Sequence, residues 1–327
     1  MRTKPSPHGR RLALAVAGLS IALACSGPPT SPTPQKTPVP PVNPSSTLLL
    51  WPVAGAQGRD WVINNYVDLD PTSGILDYTG AAGNGAKTYN GHLGIDIDSP
   101  NFRWMDAGAP IVVAAASGVV TSLRDGEPDR NTSCAGNANF VHVRHGDGVT
   151  ALYYHLKKGS AAVGLGQQVS AGDLLGVAGS SGCSTAPHLH FELRDAASNV
   201  VDPFRNGLWA APPAYTPTIT LMDLVIATGA MTLQQIKDPA PNVTSIPRGS
   251  VLGVGVSMAA GGAGDVIRLV ITDPMGATFS DNSLPFTTAL RHSYWLWNKQ
   301  LPPTPGVWTL SFFVNGVLIQ SESVTAL

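Results

Sequence analysis

The stretch Pro187-His188-Leu189-His190-Phe191-Glu192-Leu193 alternates polar and apolar residues without a break. Successive side chains on a strand point to opposite faces, so the pattern predicts a strand with His188, His190 and Glu192 on one face and Leu189, Phe191 and Leu193 against a core. An earlier stretch, Gly91-His92-Leu93-Gly94-Ile95-Asp96-Ile97-Asp98, has the same period. Read as a strand, it puts His92, Gly94 and Asp96 on one face, and Gly94 leaves room for an ion to approach. Around these two, short apolar segments bounded by Gly, Pro, Asn or Asp recur at 111–116, 118–123, 140–143, 149–156 and 174–178, and none carries a long helical period. The expectation is an all-β chain whose first unit, 47–208, is mostly antiparallel sheet.

A Pro-containing connector, Ala211 to Pro217, leads into a second strand-rich unit, 209–327, with apolar segments at 219–226, 251–258, 266–272, 294–297, 307–314 and 317–324. Asn315-Gly316 predicts a type I′ hairpin, because both turn positions need positive φ. Asp273-Pro274-Met275-Gly276 is a second turn. About seven short strands in about a hundred residues fit an immunoglobulin-like or fibronectin-like β-sandwich. No group of acids, histidines or cysteines there suggests chemistry. Trp295, Trp297 and Trp308 read as core more readily than as a glycan-stacking face.

The 327 residues are 13% charged and 43% hydrophobic, with 35 Gly and 28 Pro, a balance that favours short strands and turns over long charged helices. The net charge is −1, and −5 without the four cations of the leader, which argues against nucleic acid or anionic lipid held through bulk charge. That leader, residues 1–24, has Arg2, Lys4, Arg10 and Arg11 before an apolar run from Leu12 to Ala24, the pattern of a secretory signal and too short to span a bilayer comfortably. Ile21-Ala22-Leu23-Ala24-Cys25-Ser26 resembles a bacterial lipoprotein processing site, which implies cleavage before Cys25 and acylation of its thiol. Ser26 then implies the outer membrane if the source has one; the alternative is a secreted protein with a free Cys25. Residues 25–46, rich in Pro, Thr and Ser, read as an extended tether reaching several tens of ångströms at about 3.1 Å per residue.

Six of the 8 histidines fall in the first unit. Two imidazoles and one carboxylate held on strands match a catalytic zinc shell with its fourth position open to water. The helix-borne His-Glu-x-x-His arrangement is absent, so another group must handle the proton. His155, at the end of the Tyr153-Tyr154-His155-Leu156 segment, His188 and Glu192 are the local candidates.

Together the motifs resemble the lysostaphin-type (LytM-like) zinc metallopeptidases, which cleave peptide bonds in bacterial peptidoglycan. The resemblance runs from Trp51 to Phe204 and includes Gly108 to Ala114, Gly136 to Gly148, Gly166-Gln167-Gln168-Val169 and Gly179-Ser180-Ser181-Gly182. It implies an antiparallel metallopeptidase fold of the duplicated-hybrid-motif type and a Zn2+ ion on His92, Asp96 and His190. It also implies His155 and His188 as catalytic histidines, and peptidoglycan as substrate at the cell envelope. All five positions are filled, which favours an active enzyme over a wall-binding or amidase-activating protein; a general extracellular protease is a third reading. Glu192 is expected to support a ligand, and His142 and His145 to be structural. The membrane is expected to be met through the lipid anchor alone, and the sandwich to bind a protein or glycan partner.

In an exported protein, Cys134 and Cys183 most simply form a disulfide bracing the cleft wall, with zinc ligation by Cys183 as the alternative. The chain departs from the family pattern between Trp51 and His92 and again over Asn101 to Ala107; either segment is a candidate loop over the cleft.

Overall fold

The computed structural model describes residues 48–327, so Cys25, the leader and the tether lie outside the described residues. Among the described residues the regular structure is nearly all strand, with two five-residue α-helices at Phe102–Asp106 and Leu233–Lys237 and a 3-10 turn at Gly83–Gly85. The main sheet is antiparallel, in the order Val62–Asn65, Ile95–Asp98, His188–Arg194, Thr150–Tyr154, Phe140–His145, Gly118–Arg124 and Gln168–Val169, with Val200–Val201 added beside His188–Arg194. A separate ladder joins Ile111–Val113 to Leu174–Val177.

Alternation in sequence becomes two faces of this sheet. Ile95, Ile97, Val141, Val143, Ala151, Tyr153, Leu189, Phe191 and Leu193 are buried with Val112 and Leu175 in one core. The opposite face carries Asp96, His188, His190 and Tyr154, with His190 in register between Asp96 and Tyr154. The start and end of this unit are pinned together: Leu49 bridges Trp209, and Trp51 packs on Trp61 and Trp209.

Beyond residue 219, a three-stranded sheet (Thr220–Thr228, Val251–Ala259, His292–Gln300) and a five-stranded one (Ser245–Ile246, Val317–Ala326, Gly306–Val314, Val266–Thr272, Thr278–Pro285) share a second core. Trp308 is fully buried there with Phe312, and Trp297 and Trp295 pack in the same cluster rather than on a face. Asn315 and Gly316 both have positive φ in the hairpin expected of them.

Polar contacts join the two cores. The Arg103 guanidinium, on the helix Phe102–Asp106, donates to both Asp223 carboxylate oxygens at 2.6 Å, and Arg130 bridges Asp106 and Asp238. Asn101 to Ala107 is therefore a docking element. Val62, Met222 and Ala259 form a small apolar cluster across the junction. Asp98, His292 and Ser257 form a carboxylate–imidazole–hydroxyl chain at 2.9 and 2.8 Å, but Ser257 is wholly buried and also donates to the Pro100 carbonyl, so the chain ties the cores together and no substrate reaches it.

Candidate metal centre and active site

Three side-chain atoms converge on the polar face of the main sheet. Asp96 Oδ1 lies 2.9 Å from His190 Nδ1 and 3.1 Å from His92 Nε2, and the two imidazole nitrogens are 3.2 Å apart. Tetrahedral bonds of about 2.0–2.1 Å to zinc place ligand atoms about 3.3 Å apart, so the triangle is within a few tenths of an ångström of what the ion needs. The donor set also fits. The His92 Nδ1–H donates to the Tyr66 carbonyl at 2.7 Å, which leaves the Nε2 lone pair facing inward. Asp96 Oδ2 accepts from Asn65 Nδ2 at 2.8 Å, which leaves Oδ1 for the cluster. His190 Nε2 meets Glu192 Oε2 at 3.4 Å, and Glu192 also accepts from Arg194 Nε. Each ligand is thus oriented by a partner on its far side, as metal ligands commonly are.

The charges are balanced for a cation. Burial alone would raise the Asp96 pKa, but the imidazoles of His92, His190 and His188 gathered around it hold it well below the usual carboxylate range. Burial pushes His190 down, and Asp96 and Glu192 outweigh it, carrying the imidazole up to about 9. Without an ion, the site holds a proton on His190.

Two further histidines flank this triangle. His155 follows the strand Thr150–Tyr154 with φ 65°, a left-handed conformation that is costly for a side chain with a Cβ and recurs at functional sites. Its Nδ1–H donates to the Ser181 carbonyl at 2.7 Å. His188 donates its Nδ1–H to the Ala186 carbonyl at 2.8 Å, with Ser184 Oγ 3.2 Å away, and its Nε2 lies 3.6 Å from Asp96 Oδ1. The two rings are 4.6 Å apart. Burial first, then the charges of His188 and His190, hold the His155 pKa well below 6.5, so it is neutral near pH 7 and its Nε2 accepts a proton.

The loop that orients both histidines is braced. Cys134 and Cys183 are disulfide-bonded within the short ladder Ser133–Cys134 with Cys183–Ser184. Ser181 Oγ accepts from the Asn139 backbone N–H and donates to the Leu156 carbonyl. Fully buried Asn139 also donates its amide to the Glu127 and Leu156 carbonyls. The Ser181 and Asn139 hydrogen bonds escaped the sequence reading, and their only sequence trace is the polar run Gly136 to Asn139.

His92, Asp96, His155, His188 and His190 come together as a single site, with Glu192 behind His190. His142 stays apart, stacked on Phe140 and bonded to Tyr154 Oη, and buried His145 donates to the Ser117 carbonyl. The reading of Gly91 to Asp98 as one strand needs correction: the strand begins at Ile95, His92 enters from the preceding turn, and Leu93 is 36% exposed. Gly94 does not leave room for an ion either. A Cβ there would sit 2.6 Å from the Phe191 carbonyl and 2.7 Å from His190 Nε2, so its space is taken by a ligand's ring. Of the two departures from the family pattern, the first packs on the site, with the Tyr89 ring 4.5 Å from that of His92. Residues 66–92 back His92 through Tyr66 and Asp68, the helix Phe102–Asp106 docks on Asp223, and the His188 and His190 side chains remain 14% and 15% exposed.

Residues 90–203, which contain all five converging side chains, match the family model described as Peptidase family M23. They form an M23 peptidase domain. DD-carboxypeptidase/endopeptidase Mpg of Neisseria meningitidis serogroup B is 41% identical to it over 108 residues, 33% of this chain and 21% of that protein. Peptidoglycan DD-endopeptidase ShyA of Vibrio cholerae is 37% identical over 102 residues, 31% of this chain and 20% of that protein. The chain thus spans about a fifth of the length of these curated relatives. Among solved structures, the catalytic domain of lysostaphin from Staphylococcus simulans is 30% identical, covering 35% of this chain and 76% of that one with a TM-score of 0.26.

Proposed function

We propose that the chain is a zinc-dependent endopeptidase hydrolysing peptide bonds of peptidoglycan, either in cross-bridges or in stem peptides, at the cell envelope. The observation that carries this is the convergence of three oriented lone pairs, on His92, Asp96 and His190, beside two histidines whose far nitrogens are tied to main-chain carbonyls. The named activity of ShyA, a peptidoglycan DD-endopeptidase, supports peptidoglycan as the substrate class. Two units are assigned: the peptidase over 47–208, and a β-sandwich of immunoglobulin or fibronectin type over 209–327. A lipid on Cys25 and the tether over 25–46 would hold both at the membrane.

A zinc ion on the three ligands supplies Lewis acidity to the scissile carbonyl and the attacking water. The protein's own part is proton handling. Neutral His155, with Nε2 free to accept, fits the role of base toward the attacking water. His188, beside it, would in its doubly protonated form donate its Nε2–H to the developing oxyanion, and the proton that His155 takes from the water would pass to the leaving amine. Their fixed Nδ1–H groups keep both Nε2 atoms toward the cleft.

The test is zinc content of the purified chain, followed by release of peptides from sacculi, with an unfolded protein as second substrate, each with and without chelator. The expected result is one zinc per chain and chelator-sensitive release of new peptide ends from sacculi. Zinc without release would point to a wall-binding protein, and cleavage of the unfolded protein alone to a general protease.

A further inference from the structure

The edge strand Val62–Asn65 meets Ile95–Asp98 through a bulge. Val62 pairs with Asp98 and Ile63 with Ile97, but Asn65, not Asn64, stands opposite Asp96. A bulge re-aims a side chain and leaves the extra residue's backbone outside the ladder. Both effects are used here. The Asn65 amide turns onto Asp96 Oδ2 at 2.8 Å, and the freed Asn64 carbonyl accepts from Arg291 Nη1 at 2.8 Å. The same Nη1 donates to Asn65 Oδ1 at 2.6 Å. A guanidinium only donates and an ionised carboxylate only accepts, so the Asn65 amide has one orientation: Oδ1 to Arg291, Nδ2–H to Asp96.

Arg291 belongs to the second core, immediately before the strand His292–Gln300 and 226 residues from Asn65. Burial lowers its pKa, and the charges on Asp98 and Asp96 act against that shift. The next residue, His292, donates to Asp98 Oδ2 at 2.9 Å. Adjacent side chains of the second core thus reach both carboxylates on the polar face of one strand, one of them through Asn65.

We propose that Arg291 is a positioning residue of the metal centre, fixing Asn65 so that Asn65 fixes Asp96 with Oδ1 presented to the ion. This rests on the zinc reading above. It makes the second core a component of the site, whose ligand geometry is complete only when that core is docked.

The experiment measures zinc affinity of the full chain by chelator competition, in wild type and in Arg291→Ala, Arg291→Lys, Asn65→Ala, the Arg291→Ala/Asn65→Ala pair and Arg103→Ala. Loss of a residue orienting a ligand costs about 10–100-fold in metal affinity, which is the loss expected for Arg291→Ala and Asn65→Ala. The double variant should lose no more than about threefold beyond the worse single one, because both break the same chain of contacts. Arg291→Lys, which keeps a donor, should recover most of the affinity. Arg103→Ala removes a contact to Asp223 that touches neither Asn65 nor Asp96 and leaves the Arg291 contacts in place, so it should stay within about twofold of wild type, by the same independence of separate sites. Asn65→Ala retains the Arg291 bond to Asn64, so it reports even if Arg291→Ala fails to fold. Wild-type affinity in Asn65→Ala, or an equal loss in Arg103→Ala and Arg291→Ala, would overturn the proposal. A wild-type chain that takes up no zinc would instead overturn the metal-centre reading beneath it.

Discussion

Replacing both Cys134 and Cys183 by Ser should cost stability and, more sharply, turnover. The bond closes a loop of sequence separation 49, spanning the strands Phe140–His145, Thr150–Tyr154 and Leu174–Val177. Loop-closure entropy for that length gives about 4 kcal/mol at 25 °C, and measured losses of native disulfides run about 2–5 kcal/mol. A loss of 4 kcal/mol is about a thousandfold in the folding constant. The three ligands lie outside the short ladder that carries the bond, whereas Ser181 and Ser184, which face His155 and His188, lie beside Cys183. Urea unfolding with saturating zinc, followed by peptide release and zinc affinity on the same samples, separates the effects. The expected outcome is a lower midpoint and reduced kcat with zinc affinity nearly intact. A double variant within about 0.5 kcal/mol of wild type, far below the loop-closure value, would refute the reasoning.

Three further outcomes are expected. His188→Ala should retain zinc and lose about 10²–10⁴-fold in kcat, the range for general acid–base groups, whereas Asp96→Ala should lose the metal; zinc content and peptide release decide both. His190 sits at about 9 in the metal-free chain, above an unfolded value near 6.5, so its contribution to stability is full below about pH 6.5 and fades as pH rises toward 9. Urea midpoints of the metal-free chain should show that decline, His190→Gln should flatten it, and zinc uptake near pH 7.5 should release about one proton by calorimetry in two buffers. Gly94→Ala should displace the His190 ring, lowering zinc affinity before it lowers overall stability, since the added methyl would stand 2.7 Å from Nε2.

Much of the first sheet was legible because burial follows the period of two: Leu189, Phe191 and Leu193 are each no more than 1% exposed, and the polar residues between them form the site. His92 was placed in the right cluster on the wrong element, because a turn and a strand read alike where Gly91 and Gly94 break the pattern. The edge strand Thr278–Pro285 was missed because it is polar on both faces and ends in Pro, so no apolar run marks it. Val62–Asn65 was missed because four residues are too few to show a period, and its bulge breaks even that. Contacts between the cores had no local signal at all. Arg103 meets Asp223 across 120 residues, and His292 meets Asp98 across 194.

The carbonyls of Tyr66, Ser181 and Ala186 orient three histidines, yet every residue type carries a carbonyl. A mutational scan would therefore record position 186 as silent and charge any effect at 66 or 181 to lost packing. The tautomers of the site are written in the path of the main chain, and only an amide-to-ester replacement or a shift of that path would expose the dependence.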